Sequence, residues 1–527
     1  MAQTQLLLLI LLVTVPALSV LARVLDVPYP IVLVLAGVAL GLIPGLPVPQ
    51  LHPDVVLVIF LPPLLYVSAF FTDLHAMRSN MRPITLLSIG LVLATAAGVA
   101  VVAHQVLNLP WAVAFALGGI LAPTDPVAAT AIMRRLGAPR RLVNITEAES
   151  LLNDGSALVI YRAAVGVAVG GSFSVWSTGA NFVLSVAGGI AVGIAVGWLV
   201  SRIRARIDDT PTEVTMSLFT GYAAYLPAEQ LHVSGVLAAV TAGIVLGLAA
   251  PRISTAQMRL QGYATWDLVV FLINSVLFVM VGLQLPNVMD GTNGRSTATL
   301  IGYGLLFAGL VTAIRFAWLF TVTYLIRALD RREAQRARRA PWQLRAVGAW
   351  SGMRGAVTLA AALALPLQTD AGRPFPERNL IIFIAFCVVL LTIVVQGLTL
   401  PLLIRALGVR EDGSEEQREE LRARLSAAKV ALDRLDELEE EGAVAPDTAE
   451  RMRAVYRYRK NRFAARAGKV EDDGYEDRSQ AYQRAVRSVL DAQRDALVEM
   501  RRDGVISNDV MHRVERELDL EDERLEI

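Results

Sequence analysis

The sequence predicts an all-α membrane protein that crosses the bilayer many times and carries a soluble helical domain at its C-terminal end. Apolar residues make up 54% of the 527 residues, above the roughly 45–50% found in soluble domains. Apolar stretches long enough to cross a bilayer as helices recur along the first 410 residues. Beyond them the sequence is strongly charged and keeps helical periodicity. We therefore divide the chain into a transmembrane domain, residues 1–410, and a helical tail domain, residues 411–527.

About thirteen membrane-spanning segments are predicted, and the first is interpreted as a retained span because no basic stretch precedes it. They lie at about residues 5–23, 29–45, 54–71, 83–105, 111–133, 145–170, 181–200, 213–227, 233–250, 263–285, 298–326, 343–368 and 378–404. Arginines accumulate in alternate loops, most of all in residues 327–345. By the positive-inside rule, this alternation places the N-terminus outside and the tail domain in the cytoplasm.

The two predicted domains differ in charge. Residues 1–410 hold 27 Lys+Arg against 17 Asp+Glu, whereas residues 411–527 hold 22 against 31. We expect the tail to be a solvated helical bundle or a dimerisation element, with a regulatory, ligand-sensing role as the alternative. It shows no nucleotide or metal motif, and the single cysteine, Cys387, excludes an internal disulfide and a thiolate metal cluster. We expect no cofactor and no nucleic-acid partner.

Two aspartates, Asp125 and Asp154, lie inside apolar segments, where an intramembrane charge indicates a functional site. Asp125 is flanked by Pro123 and Pro126, which remove two backbone N–H donors and clash with carbonyls four residues earlier. The fifth segment should therefore be interrupted beside this carboxylate. Interrupted helices with an acid near the middle of the membrane are typical of ion-coupled transporters.

A division of the segments into six, one and six permits two inverted repeats joined by a linking helix. The fifth segment then corresponds to the twelfth, which carries Arg354 between Gly352 and Gly355. Two crossed, partly unwound helices would direct carbonyl ends and N–H ends at each other. Asp125 and Arg354 have the signs needed to compensate these helix dipoles.

The sixth segment adds further oxygen atoms to this region. Ser150 and Asp154 are four residues apart and share a helix face, with Asn153 adjacent. Together with Asp125 and the Thr124 hydroxyl, they offer the hard oxygen ligands that a dehydrated monovalent cation prefers, and the metal would be held only transiently. A carboxylate in a low-dielectric cavity binds a proton when no cation is present. Competition between proton and cation for one carboxylate is an exchange mechanism.

Five motifs occur in an order that resembles a known family. They are LPPLLY (residues 61–66), APTDPVA (122–128), ESLLNDG (149–155), INSVLFVMVGLQL (273–285) and GMRGAV (352–357). The chain resembles the bacterial sodium/proton antiporters of the monovalent cation:proton antiporter-1 family, relatives of the animal sodium/proton exchangers. The resemblance implies a homodimer in the bacterial plasma membrane that exchanges cytoplasmic Na⁺, or Li⁺ or K⁺, for external H⁺.

The resemblance also implies roles for individual residues. Asp154 would carry the exchanged proton or cation, while Asp125, Thr124 and Ser150 help to form the site. Glu149 would form a structural ion pair with Arg354.

Other features bear on selectivity and stoichiometry. Many members of the family carry an acid where this chain has Val67, so the choice between Na⁺ and K⁺ stays open. Electrogenic members carry a second acid at the position of Asn153 and a membrane lysine, whereas this chain has no lysine before Lys429. One proton should therefore exchange for one cation.

Three other functions are weighed against Na⁺/H⁺ exchange. A K⁺/H⁺ antiporter on the same fold is the main alternative. A cation channel is disfavoured because titratable carboxylates at a broken-helix crossing suggest alternating access. An intramembrane aspartyl protease also uses two aspartates, but its GxGD context is absent here.

Arg315, in the middle of the eleventh segment, is interpreted as a paired or snorkelling structural charge.

Overall fold

The computed structural model describes residues 14–25, 27–43, 55–170, 175–290, 295–329, 340–411, 414–467 and 474–525. Within these ranges the secondary structure is helical, apart from an isolated antiparallel bridge between Gln368 and Pro374. The predicted all-α class is confirmed. The chain forms two compact units, Met1–Glu411 and Asp412–Ile527.

The first unit is a set of helices joined mostly by short loops. They are α1 (Thr14–Val24), α2 (Tyr29–Gly41), α3 (Leu61–Phe70), α4 (Leu74–Ser79), α5 (Met81–Leu107), α6 (Trp111–Leu121), α7 (Pro126–Arg135), α8 (Arg140–Val169), α9 (Val175–Arg204), α10 (Thr210–Gln230), α11 (Gly235–Ile253), α12 (Ala256–Leu283), α13 (Leu285–Asp290), α14 (Thr297–Leu329), α15 (Trp342–Trp350), α16 (Ala356–Leu363) and α17 (Arg378–Ala406). A π-helical segment, Val55–Phe60, precedes α3.

Helices that could cross a membrane dominate this unit. Within the described residues, eight spans are long and apolar enough, namely α5, the α6–α7 pair, α8, α9, α11, α12, α14 and α17. The shorter apolar helices α1, α2 and α3 lie at the first three predicted segments. The remaining two predicted segments coincide with α10 and with the α15–α16 pair. The chain is a multi-pass membrane protein, and the count of thirteen spans stays a prediction.

Glycines allow α2 and α12 to pack with their backbones in contact. A Cβ at Gly37 would lie 3.0 Å from the Cα of Gly282 and would overlap the Val279 carbonyl oxygen, while a Cβ at Gly282 would overlap that of Val34. Lipid is as apolar as Leu, so such close contact between small residues is what holds membrane helices together. The contact fixes α12 in the unit and so positions its polar residues.

A buried apolar core includes residues of α6, α16 and α17. Leu117, Leu359 and Phe386, one from each helix, are at most 1% exposed and belong to one apolar cluster. Because α6 is apolar on nearly all sides, it is buried inside the unit rather than lying at its surface. This core supports the two interrupted helices at the candidate site.

The second unit contains four helices in its described residues: α18 (Ser414–Glu440), α19 (Pro446–Arg466), α20 (Tyr475–Arg502) and α21 (Asn508–Leu525). Arg453 of α19 forms ion pairs with Glu439 and, at 2.9 Å, with Asp436, both on α18. The hydrogen bond to Glu439 is the main reason why the pKa of Arg453 is raised. Arg494 of α20 pairs with Asp519 of α21 at 2.9 Å.

Candidate cation-binding site

Two helices are interrupted at the same place, and their broken ends meet. α6 ends at Leu121, and α7 begins at Pro126 with Asp125 as its N-cap, so the predicted interruption of the fifth segment is confirmed. The twelfth segment is also broken, between α15 and α16. The backbone N–H of Asp125 donates to the carbonyl of Met353 at 2.8 Å, which joins the two breaks.

Charged side chains satisfy the free backbone groups at this crossing. Asp125 Oδ1 accepts from the Val127 N–H at 2.9 Å, at the positive N-terminal end of α7. Arg354 Nε donates to the Leu121 carbonyl at 3.1 Å, at the negative C-terminal end of α6, and its Nη1 donates to the Gly352 carbonyl. The sequence predicted this compensation of helix ends by Asp125 and Arg354.

The absence of a side chain at Gly355 makes room for the Asp125 carboxylate. A Cβ at Gly355 would overlap Asp125 Oδ2 and lie 2.5 Å from Asp125 Cγ. We expect Gly355→Ala to displace this carboxylate and to reduce transport strongly, measured as ion exchange in proteoliposomes. Gly348→Ala on α15 is the matched control, because its methyl would meet Leu142 Cδ1 at an ordinary 3.4 Å. Equal activity of both variants would contradict the role given to Gly355.

α8 holds the unwound segment between α6 and α7 through two predicted site residues. Ser150 Oγ donates to the Thr124 carbonyl at 2.6 Å, and Asn153 Nδ2 donates to Thr124 Oγ1 at 2.8 Å. Ser150 and Thr124 also line the cavity described next, whereas Asn153 is 1% exposed and is not part of the cavity wall. The structure therefore places Asn153 behind the site, where it positions Thr124.

A cavity of about 440 Å³ contains both aspartates. Asp125 and Asp154 line it and lie close enough to interact electrostatically. Within the described residues, the Asp154 carboxylate has no hydrogen-bond or ion-pair partner, unlike Asp125. Its oxygens are therefore free to bind a ligand from the cavity.

The structure corrects the predicted ion pair between Glu149 and Arg354. Glu149 is instead paired with Arg315 of α14. Arg315 Nη1 donates to Glu149 Oε1, and Arg315 Nη2 donates to Glu149 Oε2 at 2.9 Å. Both side chains are at most 3% exposed. Arg354 instead donates to the carbonyl of Leu121, the last residue of α6, and to that of Gly352, in the break after α15. The interpretation of Arg315 as a structural charge agrees with this pair.

Other cavity residues were not singled out from the sequence as site residues. Asp267 and Asn274 of α12 line the cavity, and so do Val67 and Ser68 of α3. Val67, the position where many resembling proteins carry an acid, therefore lies on the cavity wall. An Asn within the apolar run INSVLF gives no sequence signal that separates a ligand from a packing residue.

The cavity extends from the two aspartates toward the arginine-rich side of the unit. Asp73, Met77, Asn80, Arg134 and Glu147 line its outer part. These residues lie at or beside the loops that the charge pattern assigned to the cytoplasm.

Crossed broken helices around an intramembrane carboxylate that has no partner within the described residues define the class of secondary ion transporters, not of enzymes. A family described as sodium/hydrogen exchanger, transmembrane, matches residues 7–406. An uncharacterized Na⁺/H⁺ exchanger of Mycobacterium bovis is 38% identical over 94% of this chain and 91% of its own length. The chain belongs to the sodium/hydrogen exchanger family. The predicted family is confirmed, and the intramembrane protease is set aside.

Other relatives and a solved structure agree with this membership. A Na⁺/H⁺ antiporter of Aphanothece halophytica is 34% identical over 82% of this chain and 78% of the relative. A sodium, potassium, lithium and rubidium/H⁺ antiporter of Bacillus pumilus is 32% identical over 72% of this chain and 58% of the relative. The structure of the sodium proton antiporter from Methanocaldococcus jannaschii at pH 8 has a TM-score of 0.61 at 20% identity, over 77% of this chain and 99% of that one. This last match shows a shared fold.

Proposed function

We infer that the protein exchanges cytoplasmic Na⁺ for external H⁺ by alternating access at Asp154. This inference is supported by the partners of the charged side chains at the broken helices. Glu149 is paired with Arg315, Asp125 caps α7, and Arg354 binds helix-end carbonyls. Asp154 alone among these charges faces the cavity with no protein partner in the described part of the chain. A carboxylate in that position can take either a proton or a cation.

The oxygen atoms around Asp154 suit a monovalent cation. Asp125, Thr124 and Ser150 line the same cavity, and each side chain offers an oxygen. Hard oxygen ligands without a demanding geometry are what alkali cations need. Within the described residues, no cluster of three or more His, Cys, Asp or Glu side chains forms a site for a divalent or transition metal.

Alternating access requires that only one side of the site is open at a time. The cavity reaches the arginine-rich side, while the apolar core of α6, α16 and α17 packs beyond the broken helices. With the arginine-rich loops inside, this conformation is open to the cytoplasm. We propose that the two broken helices belong to inverted six-helix repeats within thirteen spans, and that movement between the repeats exposes Asp154 to the outside.

The relatives differ in the cations for which they are named. The Aphanothece relative is named for Na⁺, whereas the Bacillus relative is named for Na⁺, K⁺, Li⁺ and Rb⁺. Val67 stands where many similar proteins have an acid, so K⁺/H⁺ exchange is the second candidate. Adding Na⁺, Li⁺ or K⁺ in turn to proteoliposomes with an internal pH dye tests both. A response to none of the three would contradict exchange itself.

Exchange is expected to be electroneutral, one proton for one cation, because Asn153 replaces a second acid and no lysine precedes Lys429. An electrogenic cycle would gain or lose roughly 2.3 kcal/mol per net charge per 100 mV. In liposomes clamped with potassium and valinomycin, the equilibrium sodium gradient should stay the same at every voltage for a fixed pH difference. A sodium gradient that changes with voltage would show that net charge moves.

The cellular context completes the proposal. We place the protein in the bacterial plasma membrane as a homodimer, with the N-terminus outside and the Asp412–Ile527 unit in the cytoplasm. The dimer and the tail role come from the resemblance and the charge pattern. Mass measurement of the purified protein in detergent tests the dimer directly.

A further inference from the structure

One wall of the cavity is formed by a face of α12 that carries two polar residues. Asp267 and Asn274 both line the cavity, with Val270 between them. Residues seven apart on a helix lie on nearly the same face and are separated by about 10 Å along the axis. Asp73, at the outer end of the cavity, lies in the loop before α4, whereas Asp154 lies in its interior.

Asn274 is a buried polar residue on the cavity wall. The side chain is 4% exposed, and its Nδ2 has no hydrogen-bond partner within the described residues. Its cavity-lining neighbours Val270, Leu277 and Phe278 are apolar. Nearly all buried polar groups in proteins are hydrogen-bonded, and one that is not destabilises the fold and requires an explanation.

The charge of the cavity indicates the kind of ligand that would satisfy this amide. The wall carries the carboxylates of Asp125, Asp154 and Asp267, so it attracts cations and repels anions. An amide with no partner can turn its carbonyl oxygen into the cavity, since the orientation of an Asn side chain is set by its hydrogen bonds. Its oxygen can replace one water of a monovalent cation's hydration shell.

We propose that Asp267 and Asn274 form a cation path along α12, in which Asp267 attracts the hydrated cation and Asn274 binds it as it loses water on the way to Asp154. This proposal rests on the proposed cation exchange and adds two residues to it. Asn274 acts as a direct cation ligand, and Asp267 acts through long-range attraction. The two roles make different predictions.

Asn274→Leu keeps the side-chain shape and removes the oxygen. We expect the Na⁺ KM to rise about tenfold, as loss of about 1.4 kcal/mol of binding would require. The kcat at saturating Na⁺ should stay unchanged because Asp154 and Asp125 are intact. The melting temperature without Na⁺ should stay the same or rise, because an unsatisfied buried amide is removed. A residue with only a structural role would instead lower the melting temperature and leave KM unchanged.

Ser275→Ala is the matched control for this variant. Ser275 is the next residue on α12, is fully buried and is not part of the cavity wall. Like Asn274 Nδ2, its Oγ has no hydrogen-bond partner within the described residues. Its replacement should leave the Na⁺ KM at the wild-type value. An equal rise in KM in both variants would mean that repacking of α12 is the cause and would overturn the proposal.

Asp267→Asn tests the electrostatic role. The Na⁺ KM should rise in low-salt buffer, and the rise should shrink when choline chloride brings the ionic strength to about 0.15 M, where the Debye length is about 8 Å.

A KM that is unchanged in Asn274→Leu overturns the proposal while leaving Na⁺/H⁺ exchange intact. If the wild-type protein shows neither exchange nor a Na⁺-dependent rise in melting temperature, the proposed function itself fails.

Discussion

Asp154→Asn is expected to abolish cation/proton exchange and to leave a folded protein. The amide nearly preserves the shape of the side chain but cannot release a proton or carry the charge that binds a cation. Since Asp154 has no partner within the described residues, its replacement breaks no hydrogen bond or ion pair of the fold. Na⁺ uptake driven by a pH gradient in proteoliposomes should fall to the level of empty liposomes, while the melting temperature in detergent stays near the wild-type value.

Asp209→Asn is the matched control for this substitution. Asp209 is exposed, and its carboxylate caps α10 by accepting from the Thr212 N–H at 3.0 Å. Asn is an equally good N-cap, so this variant should exchange ions like the wild type. Measurable pH-driven uptake by Asp154→Asn would show that another group carries the proton.

Breaking the buried ion pair between Glu149 and Arg315 is expected to destabilise the protein strongly. Removal of one partner from a buried pair costs roughly 3–5 kcal/mol because the other charge is left without compensation. Glu149→Ala and Arg315→Ala should therefore each lower the melting temperature in detergent markedly. The double variant should recover part of the loss, because it leaves no orphaned charge at this position.

A second double-mutant cycle, with Glu149→Ala and Arg354→Ala, is the control for the first. Arg354 binds carbonyl oxygens rather than the Glu149 carboxylate, so the coupling measured with Arg354 should be smaller than that measured with Arg315. A larger coupling with Arg354 would show that Glu149 pairs with Arg354, as the sequence predicted.

The helices and the interruption were predictable because they depend on local properties of the chain. Segment length and hydropathy place a helix wherever the bilayer must be crossed, and every predicted segment coincides at least in part with a described helix. Pro123 and Pro126 remove donors whatever the surroundings, so the break beside Asp125 follows from the sequence. The match between Arg354 and the end of α6 follows from charge and helix polarity.

The partners of side chains from distant segments were not predictable in the same way. Glu149 and Arg315 are 166 residues apart, and their contact depends on how α8 and α14 are rotated and packed. Sequence spacing carries no information on that rotation. Asn274 was missed for a related reason. It matters because it lines the cavity and because its Nδ2 has no partner within the described residues, and only the packed structure shows these two features.

Proton release on Na⁺ binding tests most directly whether proton and cation compete for Asp154. Na⁺ would be added to the purified protein in weakly buffered detergent solution at a series of pH values, and the protons released per bound Na⁺ would be counted. The wild type should release up to one proton per Na⁺ at acidic pH, falling toward none as Asp154 becomes deprotonated, and Asp154→Asn should release none. Na⁺ binding by the wild type without proton release at any pH, or unchanged release by Asp154→Asn, would contradict the proposed mechanism.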